Sequence, residues 1–336
     1  MLWVANGTNS IAADFHNEIY PQAKLMLSGE DPYPSPGSDL TAGSNYIWPP
    51  LPVFFAAPLT VLSPGTADVL AALIGLAAFA AALWVVGVRD WRVYGAAFLG
   101  PQVLADIRVA HLSLVLCLAV AIAWRARDRV AVPGLIVGIA VGLKFFLWPL
   151  IPWLAALRRY REAALAAGVA ALSLLLLVPF TDVHDYVRVL RELGATFDQD
   201  SYTPYGLFIQ MGFSTLAASI VTYGLGLGLI VSAWHRRSLT LTIAASLVLS
   251  PIVWLDYFAL LAIPLAIVRP RFGPLWLLPL LAWGVSGAGA GIGDVSAMLR
   301  VLVVFGIVVW CAARAESRAG RDLGKAASER VGAAAA

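Results

Sequence analysis

The chain has 336 residues, 60% of them hydrophobic, and its mean hydropathy is +0.81. This composition excludes an ordinary soluble domain, because such domains are about 45–50% apolar. The formal net charge of +3 says little alone, since the loops that carry the charge matter more in a membrane protein. Cys117 and Cys311 both lie in apolar runs, so neither a disulfide framework nor a thiolate metal site is predicted. We therefore predict an integral membrane protein.

A cluster of acidic and aromatic residues precedes the apolar part of the chain. It begins at Asp14 with Asp-Phe-His-Asn-Glu-Ile-Tyr and ends with Gly-Glu-Asp-Pro-Tyr at Tyr33. Core packing does not explain these carboxylates, because their neighbours are polar, proline and glycine residues that bury little surface. We predict a functional site here. Two structural alternatives stay open: Asp14 can cap the following helix, and Asp31 can form an Asp-Pro turn.

Eleven apolar segments follow this cluster. They lie at about residues 66–88, 93–106, 110–124, 133–144, 146–157, 163–180, 205–232, 239–252, 256–268, 274–289 and 295–314. Several are shorter than the ~20 residues that a perpendicular crossing needs. The short pairs on either side of Ala105–Ala110, Lys144 and Trp254 are therefore interpreted as broken helices that meet near a polar cavity. The predicted fold class is all-α, a polytopic transmembrane bundle of about 11 transmembrane or broken helices.

The charges of the loops predict the orientation in the membrane. Most of the basic residues fall on one side, namely Arg89, Arg92, Arg125, Arg127, Arg129, Arg158, Arg159, Arg161, Arg236, Arg237, Arg269, Arg271 and the basic residues from Arg314 to Arg330. That side is cytoplasmic by the positive-inside rule, and the opposite, outer side holds most of the acidic residues. We expect a multi-pass plasma-membrane protein with an extracytoplasmic site.

The same orientation predicts three regions. Residues 1–65 are an extracytoplasmic loop with an interfacial helix, residues 66–314 are the transmembrane domain, and residues 315–336 are a disordered cytoplasmic tail. Residues 1–13 have neither a basic region nor an apolar run long enough to translocate this loop. We therefore expect that a first transmembrane helix is missing from the N-terminus.

Ionisable residues within or beside the apolar segments are further site candidates. Lys144 ends a glycine-rich apolar helix, where a cation is costly unless it has a partner, a phosphate or a route to water. Asp256 follows a Ser-Pro break and is a candidate for substrate contact or for a structural ion pair. Arg108 and His111 share the outward tip between two short helices and can complete a phosphate pocket, although Arg108 can instead pair with outer acids.

Five segments, taken in chain order, resemble glycosyltransferase family 87. The first is the pattern from Asp14 to Tyr33. The others are Tyr46-Ile47-Trp48-Pro49-Pro50-Leu51, His111-Leu112-Ser113, Gly134–Lys144 with the Phe-Phe-Leu-Trp-Pro that follows it, and Ser250-Pro251-Ile252-Val253-Trp254-Leu255-Asp256-Tyr257. The sequence departs from the family pattern at His111 and Ser113, where Gln and Asn are usual, and at Asp256, where His is usual.

The resemblance implies a GT-C-type glycosyltransferase that uses a polyprenyl-phosphate sugar. Mannose is the expected sugar and a glycolipid or cell-envelope glycan the expected acceptor, with lipid-linked arabinose as the alternative donor. Inverting transfer needs a base at the acceptor oxygen and cations at the departing phosphate. We predict Asp14 as the base and Lys144, Arg108 and His111 as the phosphate-binding residues. The predicted sugar or acceptor contacts are Tyr33, Trp48, Trp254 and Asp256.

Other kinds of function are weighed against this one. The sequence has no Walker loop, no dinucleotide fingerprint and no spacing of His, Asp and Glu typical of a metal site, so we expect no cofactor, metal or nucleic-acid partner. A transporter or lipid flippase would use Lys144, Asp256 and Asp106 as a substrate or proton path. An inactive scaffold of an envelope complex is the third possibility. The acidic cluster on one side favours the enzyme.

Overall fold

The computed structural model describes residues 11–35, 37–40, 46–197, 201–283 and 294–335, with side chains as far as Arg318. Fifteen α-helices are defined within these ranges. They are α1 (Tyr20–Ser28), α2 (Leu51–Ala56), α3 (Pro64–Val85), α4 (Trp91–Phe98), α5 (Pro101–Val109), α6 (Ser113–Arg125), α7 (Val132–Leu143), α8 (Leu150–Ala156), α9 (Tyr160–Leu175), α10 (Val183–Phe197), α11 (Pro204–Gln210), α12 (Thr215–Arg236), α13 (Leu239–Leu249), α14 (Ala262–Val268) and α15 (Val295–Ala335).

Shorter turns of other helix types join several of these helices. A π-helix at Phe15–Ile19 runs directly into α1, and 3₁₀ helices lie at Ala57–Val61, Phe145–Leu147, Leu255–Leu261 and Pro274–Ala282. The ranges given above contain no strand. The all-α prediction is therefore confirmed for these residues.

Within the described ranges, three helices are long and apolar enough to span a membrane: α3, α12, and α15 from Val295 to Arg318. Helices α5 and α6 would form a fourth span if they are counted together, but they meet at a bend of 117°. The predicted number of about 11 is not confirmed, because most of the other apolar segments form helices too short for a straight crossing. The predicted segment 205–232 divides into α11 and α12, and residues 284–289 of the segment 274–289 lie outside the described residues.

Glycines set the close approach of α7 to α9. They occur at every fourth position of α7, at Gly134, Gly138 and Gly142, and therefore share one face. A methyl group at Gly134 would lie 2.6 Å from the Glu162 carbonyl oxygen, and one at Gly138 would lie 2.8 Å from the carbonyl oxygen of Ala166. Small residues at this spacing let two helix backbones pack closely in a membrane protein. This packing fixes the end of α7, which Lys144 follows.

The N-terminal segment has its own small core and is attached to the bundle by polar contacts. Phe15 and Ile19 of the π-helix are buried in this core. His16 Nδ1 lies 2.7 Å from Asp68 Oδ2 in the first turns of α3, and the Ala12 backbone N–H donates to the carbonyl of Ile107 at 3.1 Å. The acidic cluster is therefore held against the ends of α3 and α5.

The arginine-rich turns and the acidic cluster lie at opposite ends of the helices. Helix α3 starts beside the N-terminal segment and ends before Arg89, and α6 starts beside His111 and ends at Arg125. Helix α7 runs back from Val132 to Lys144. The separation of charge predicted from the sequence is thus present along the axes of three helices.

Helix α15 continues through residues 315–335 to Ala335. The high helix propensity of alanine suits this continuation. The assignment of residues 315–336 to a cytoplasmic tail stays a prediction. Glu316 also fixes this helix to α13, because its carboxylate accepts hydrogen bonds from Ser238 Oγ and from the backbone N–H of Leu239.

Candidate active site

Three breaks in the helical chain meet at the N-terminal segment. The first is the bend between α5 and α6, the second is the break between α7 and the turn Phe145–Leu147, and the third separates α13 from the 3₁₀ helix Leu255–Leu261. His111 and Lys144 lie in the first two breaks, and Asp256 is the second residue of the 3₁₀ helix that follows the third. The structure has breaks at Lys144 and next to Trp254, as predicted. The break predicted across Ala105–Ala110 lies later, at Ala110–Leu112, because α5 continues to Val109.

The bend at His111 depends on unusual backbone conformations and on one carboxylate. Ala110 and Leu112 have φ angles of 53° and 66°, in the left-handed region that side-chain-bearing residues rarely adopt. The buried Asp106 side chain accepts a hydrogen bond from the Ser113 backbone N–H at 3.0 Å, which caps the start of α6. This geometry turns the His111 side chain into the protein.

His111 joins two carboxylates. Its Nε2 lies 2.6 Å from Asp14 Oδ2, and its Nδ1 lies 3.4 Å from Asp256 Oδ2. The Asp256 oxygen also accepts a hydrogen bond from Ser113 Oγ at 2.6 Å. The exposed fractions of the Asp14, His111 and Asp256 side chains are 27%, 8% and 2%. The three residues form a chain that leads from a partly exposed carboxylate to a fully buried one.

The capping alternative for Asp14 does not account for its side chain. Asp14 stands at the N-cap position of the π-helix with helical dihedral angles, and its carboxylate makes no capping hydrogen bond. It pairs with His111 instead. The structural alternative agrees with the contacts of Asp31, because its Oδ1 accepts a hydrogen bond from the Tyr33 backbone N–H at 2.9 Å and closes a turn.

Lys144 is buried beside this chain, with only 4% of its surface exposed. Its Nζ lies 3.8 Å from the centre of the Tyr257 ring and 4.4 Å from the centre of the Trp48 ring. It makes no hydrogen bond to the residues that the structure describes. Asp256, Asp106 and Asp14 supply the surrounding negative charge. Two aromatic faces and these acids thus stabilise a cation that would otherwise be expensive to bury.

Trp48 connects the cation to the N-terminal helix. Its indole Nε1 donates to Glu18 Oε2 at 2.9 Å, and its ring meets the His111 ring edge to face at 4.6 Å between centroids. Its backbone carbonyl accepts a hydrogen bond from the Tyr33 hydroxyl at 3.1 Å. Trp48 therefore lies between the acidic and the basic residues of the site.

Aromatic rings form one wall beside Trp48. The Tyr33 ring lies 5.2 Å from that of Tyr46 and 5.0 Å from that of Tyr186 on α10. Tyr186 also contacts Phe145, the residue after Lys144, at 6.4 Å. The amphipathic helix α10 thus packs over the N-terminal segment through Tyr186. Asp198 and Asp200, which follow α10, lie outside the described residues.

The two other predicted site residues are Arg108 and Trp254. Arg108 is exposed in the last turn of α5, close in sequence to the buried Asp106. Trp254 is half-buried, with its ring 6.1 Å from that of Phe197. Among the predicted residues, the structure brings Asp14, Trp48, His111, Lys144 and Asp256 into one cluster, with Tyr33 behind Trp48.

The predicted set omitted residues that the structure adds to this cluster. Glu18 lies four positions after Asp14, a spacing that places two side chains on one face of a helix, and this signal was available in the sequence. Asp106 is an acid within an apolar helix, which is by default a functional candidate. Ser113 and Tyr257 lie in two of the segments that resemble the family, but their part in the cluster depends on contacts with residues far away in the chain.

The sequence profile of glycosyltransferase family 87 matches residues 46–264, which is more than half of the chain. The chain belongs to glycosyltransferase family 87. The family 87 match includes Trp48, His111, Lys144 and Asp256, whereas Asp14 precedes its first residue. No curated protein and no solved structure gave a significant match. Membership of family 87 makes the protein a glycosyltransferase, with a sugar donor and an acceptor as its substrates.

Proposed function

We propose that the protein transfers a sugar, mannose in the first instance, from a polyprenyl-phosphate donor to a glycolipid or cell-envelope glycan with inversion at the anomeric carbon. The observation that carries this proposal is the chain from Asp14 through His111 to Asp256 beside the buried Lys144. It combines a carboxylate open to solvent with a cation in a largely apolar setting. Inverting transfer from a sugar phosphate needs both.

Asp14 is the proposed base. Its side chain is the most exposed of the three in the chain, so an acceptor hydroxyl can approach it. The acceptor oxygen forms a bond to the anomeric carbon and gives its proton to Asp14. The bond between that carbon and the phosphate oxygen breaks, and the electron pair leaves with the polyprenyl phosphate. His111 holds one Asp14 oxygen at 2.6 Å and is itself supported by Asp256, which orients the carboxylate.

Lys144 is the proposed partner of the donor phosphate. Its Nζ faces two aromatic rings, and its three N–H groups can donate to phosphate oxygens as negative charge develops on the leaving group. The positive charge would thus come from a side chain without a metal ion. Arg108, exposed on the neighbouring helix end, is the proposed second cation, and His111 serves mainly to hold Asp14.

Aromatic side chains are the proposed sugar contacts. Trp48 lies directly against Lys144 and His111, so a sugar attached to a phosphate at Lys144 would lie near its ring. Tyr33 supports Trp48 from behind, and Trp254 would form the outer rim. This arrangement does not distinguish mannose from arabinose, so arabinose remains the alternative donor.

The proposed location of the site is the extracytoplasmic face of the plasma membrane, with the C-terminus in the cytoplasm. The support is the separation of charge along the helices, in which Asp14 and Asp68 lie at one end of α3 and Arg89 follows the other end. Basic loops favour the cytoplasmic side.

The proposal is tested in membranes that contain the wild-type chain, Asp14→Asn or the control Asp31→Asn. Labelled polyprenyl-phosphate mannose and its arabinose analogue are supplied separately, and label in the envelope-lipid extract is counted. We expect transfer from one donor, a loss of about 10²-fold or more with Asp14→Asn, and activity near wild type with Asp31→Asn. Folded wild-type protein that transfers neither sugar to a supplied acceptor would refute the proposal.

A further inference from the structure

We infer that Glu18 is a positioning residue for sugar transfer, which holds the Trp48 indole against Lys144 and His111. The inference rests on the proposed function for the role of Lys144, but its geometry is independent of that role. Glu18 makes none of the contacts that would assign it to the proton transfer itself. Its described hydrogen bond is the one it accepts from Trp48 Nε1 at 2.9 Å.

The Trp48 ring needs such an anchor because it contacts both Lys144 and His111. It is 4.4 Å from Lys144 Nζ and 4.6 Å from the His111 ring centre. The Tyr33 hydroxyl fixes the backbone of Trp48 but does not restrict rotation of the indole about its side-chain torsions. The bond to Glu18 is the described contact that fixes the polar edge of the ring. Without it, the polar edge of the indole loses its described hydrogen-bond partner.

The position of Glu18 on the N-terminal helix explains how one segment organises the whole site. Asp14 and Glu18 both lie on the turn Asp14–Ile19, which Phe15 and Ile19 anchor in the small core. Asp14 contacts His111 and Glu18 contacts Trp48. One helix therefore positions both Asp14, the proposed base, and the ring of Trp48.

The protonation state of Glu18 suits this role. Burial and the nearby Asp14 raise the pKa of Glu18 from 4.5 to about 8, while the Trp48 N–H, His111 and Lys144 act in the opposite direction. Glu18 is then mostly neutral at pH 7. It can accept the indole hydrogen bond without adding a negative charge next to a donor phosphate.

The test compares Glu18→Ala, Glu18→Gln, Trp48→Phe, the double variant Glu18→Ala/Trp48→Phe and the control Glu30→Ala. Glu30 is an exposed carboxylate just after α1, so its removal should change nothing in the site. The KM for the polyprenyl-phosphate donor is measured for each. Acetylation of Lys144 by acetic anhydride, scored on its peptide by mass spectrometry, is measured without any donor.

We expect Glu18→Ala and Trp48→Phe each to raise the donor KM about tenfold, and the double variant to match the worse single variant, because both act through one contact. Glu18→Gln, whose amide oxygen can still accept the indole hydrogen, should stay within about threefold of wild type. Acetylation of Lys144 should rise by about threefold or more in the two single variants and remain unchanged in Glu18→Gln and Glu30→Ala.

Two results would overturn the inference. One is a double variant whose KM effect is the product of the two single effects, and the other is unchanged acetylation of Lys144 in folded Glu18→Ala. If the wild-type protein transfers no sugar, the proposed function fails, and the acetylation result still decides whether Glu18 positions Trp48 against Lys144.

Discussion

Replacing Lys144 by Met tests the site most directly. The substitution keeps an unbranched side chain between the Tyr257 and Trp48 rings but removes the ammonium group that lies 3.8 Å and 4.4 Å from their centres. Methionine can still pack against aromatic rings, so the cavity left behind is small. The substitution therefore removes the positive charge of Lys144 while nearly keeping the size and shape of the side chain.

The expected magnitude follows from the hydrogen bond that Lys144 would make to the donor phosphate. A hydrogen bond to a charged group contributes about 1.5–3 kcal/mol. Since each 1.36 kcal/mol corresponds to a factor of ten in rate, the loss in kcat/KM should be about 10-fold to 150-fold.

The effect on stability should be smaller, because two contributions oppose each other. Removing the ammonium group loses contacts with two ring faces, worth about 2 kcal/mol when desolvated, and the attraction of the Asp256 and Asp106 carboxylates. It also relieves the cost of burying a cation that makes no hydrogen bond within the described structure. We expect a folded variant.

The assay measures initial rates of transfer from labelled polyprenyl-phosphate mannose over a range of donor concentrations. Lys24→Met is the matched control, because Lys24 is exposed on α1 and its Nζ lies 4.8 Å from the centre of a single ring, that of Tyr20. The control should keep wild-type kinetics. A folded Lys144→Met protein with kcat/KM within about threefold of wild type would refute the phosphate-binding role of Lys144.

Three further predictions concern pH, packing and the support of His111. The pKa of Glu18 is raised in the folded protein, so the stability of the wild type should fall relative to Glu18→Gln as pH rises from about 4.5 to about 8. The unfolding temperatures of the two proteins are compared over this range. A constant difference between them would contradict the raised pKa of Glu18. Gly138→Val should destabilise the protein by about 1–3 kcal/mol through overpacking. The control Gly168→Val, whose added side chain meets open space, should lower the stability less. Equal unfolding temperatures of the two variants would refute the packing argument. Ser113→Ala removes the 2.6 Å hydrogen bond to Asp256 and should lower kcat about tenfold with little change in the donor KM. An unchanged kcat would show that Asp256 does not need the hydrogen bond from Ser113.

The sequence by itself determined the class of the protein and singled out most of the residues that the structure brings together in the candidate site. Its apolar composition required helices in a membrane, since every buried backbone group must find an internal partner there. Lys144 and Asp256 stood out because ionisable groups within apolar segments are expensive to keep, and Asp14 stood out because it opens an acidic cluster that core packing does not explain.

Only the tertiary structure decided how these residues combine. The sequence left Asp14 as either a cap or a site residue, and the choice depends on His111, which is nearly a hundred positions away and reaches Asp14 through a bend of 117°. Ser113 and Tyr257 acquire their roles from contacts with Asp256 and Lys144 across different helices. The predicted number of about 11 spans is not confirmed, because hydrophobicity measures the preference of a segment for lipid and for protein interior alike. Whether an apolar segment crosses the membrane or ends at a polar break is decided by the helices that pack against it.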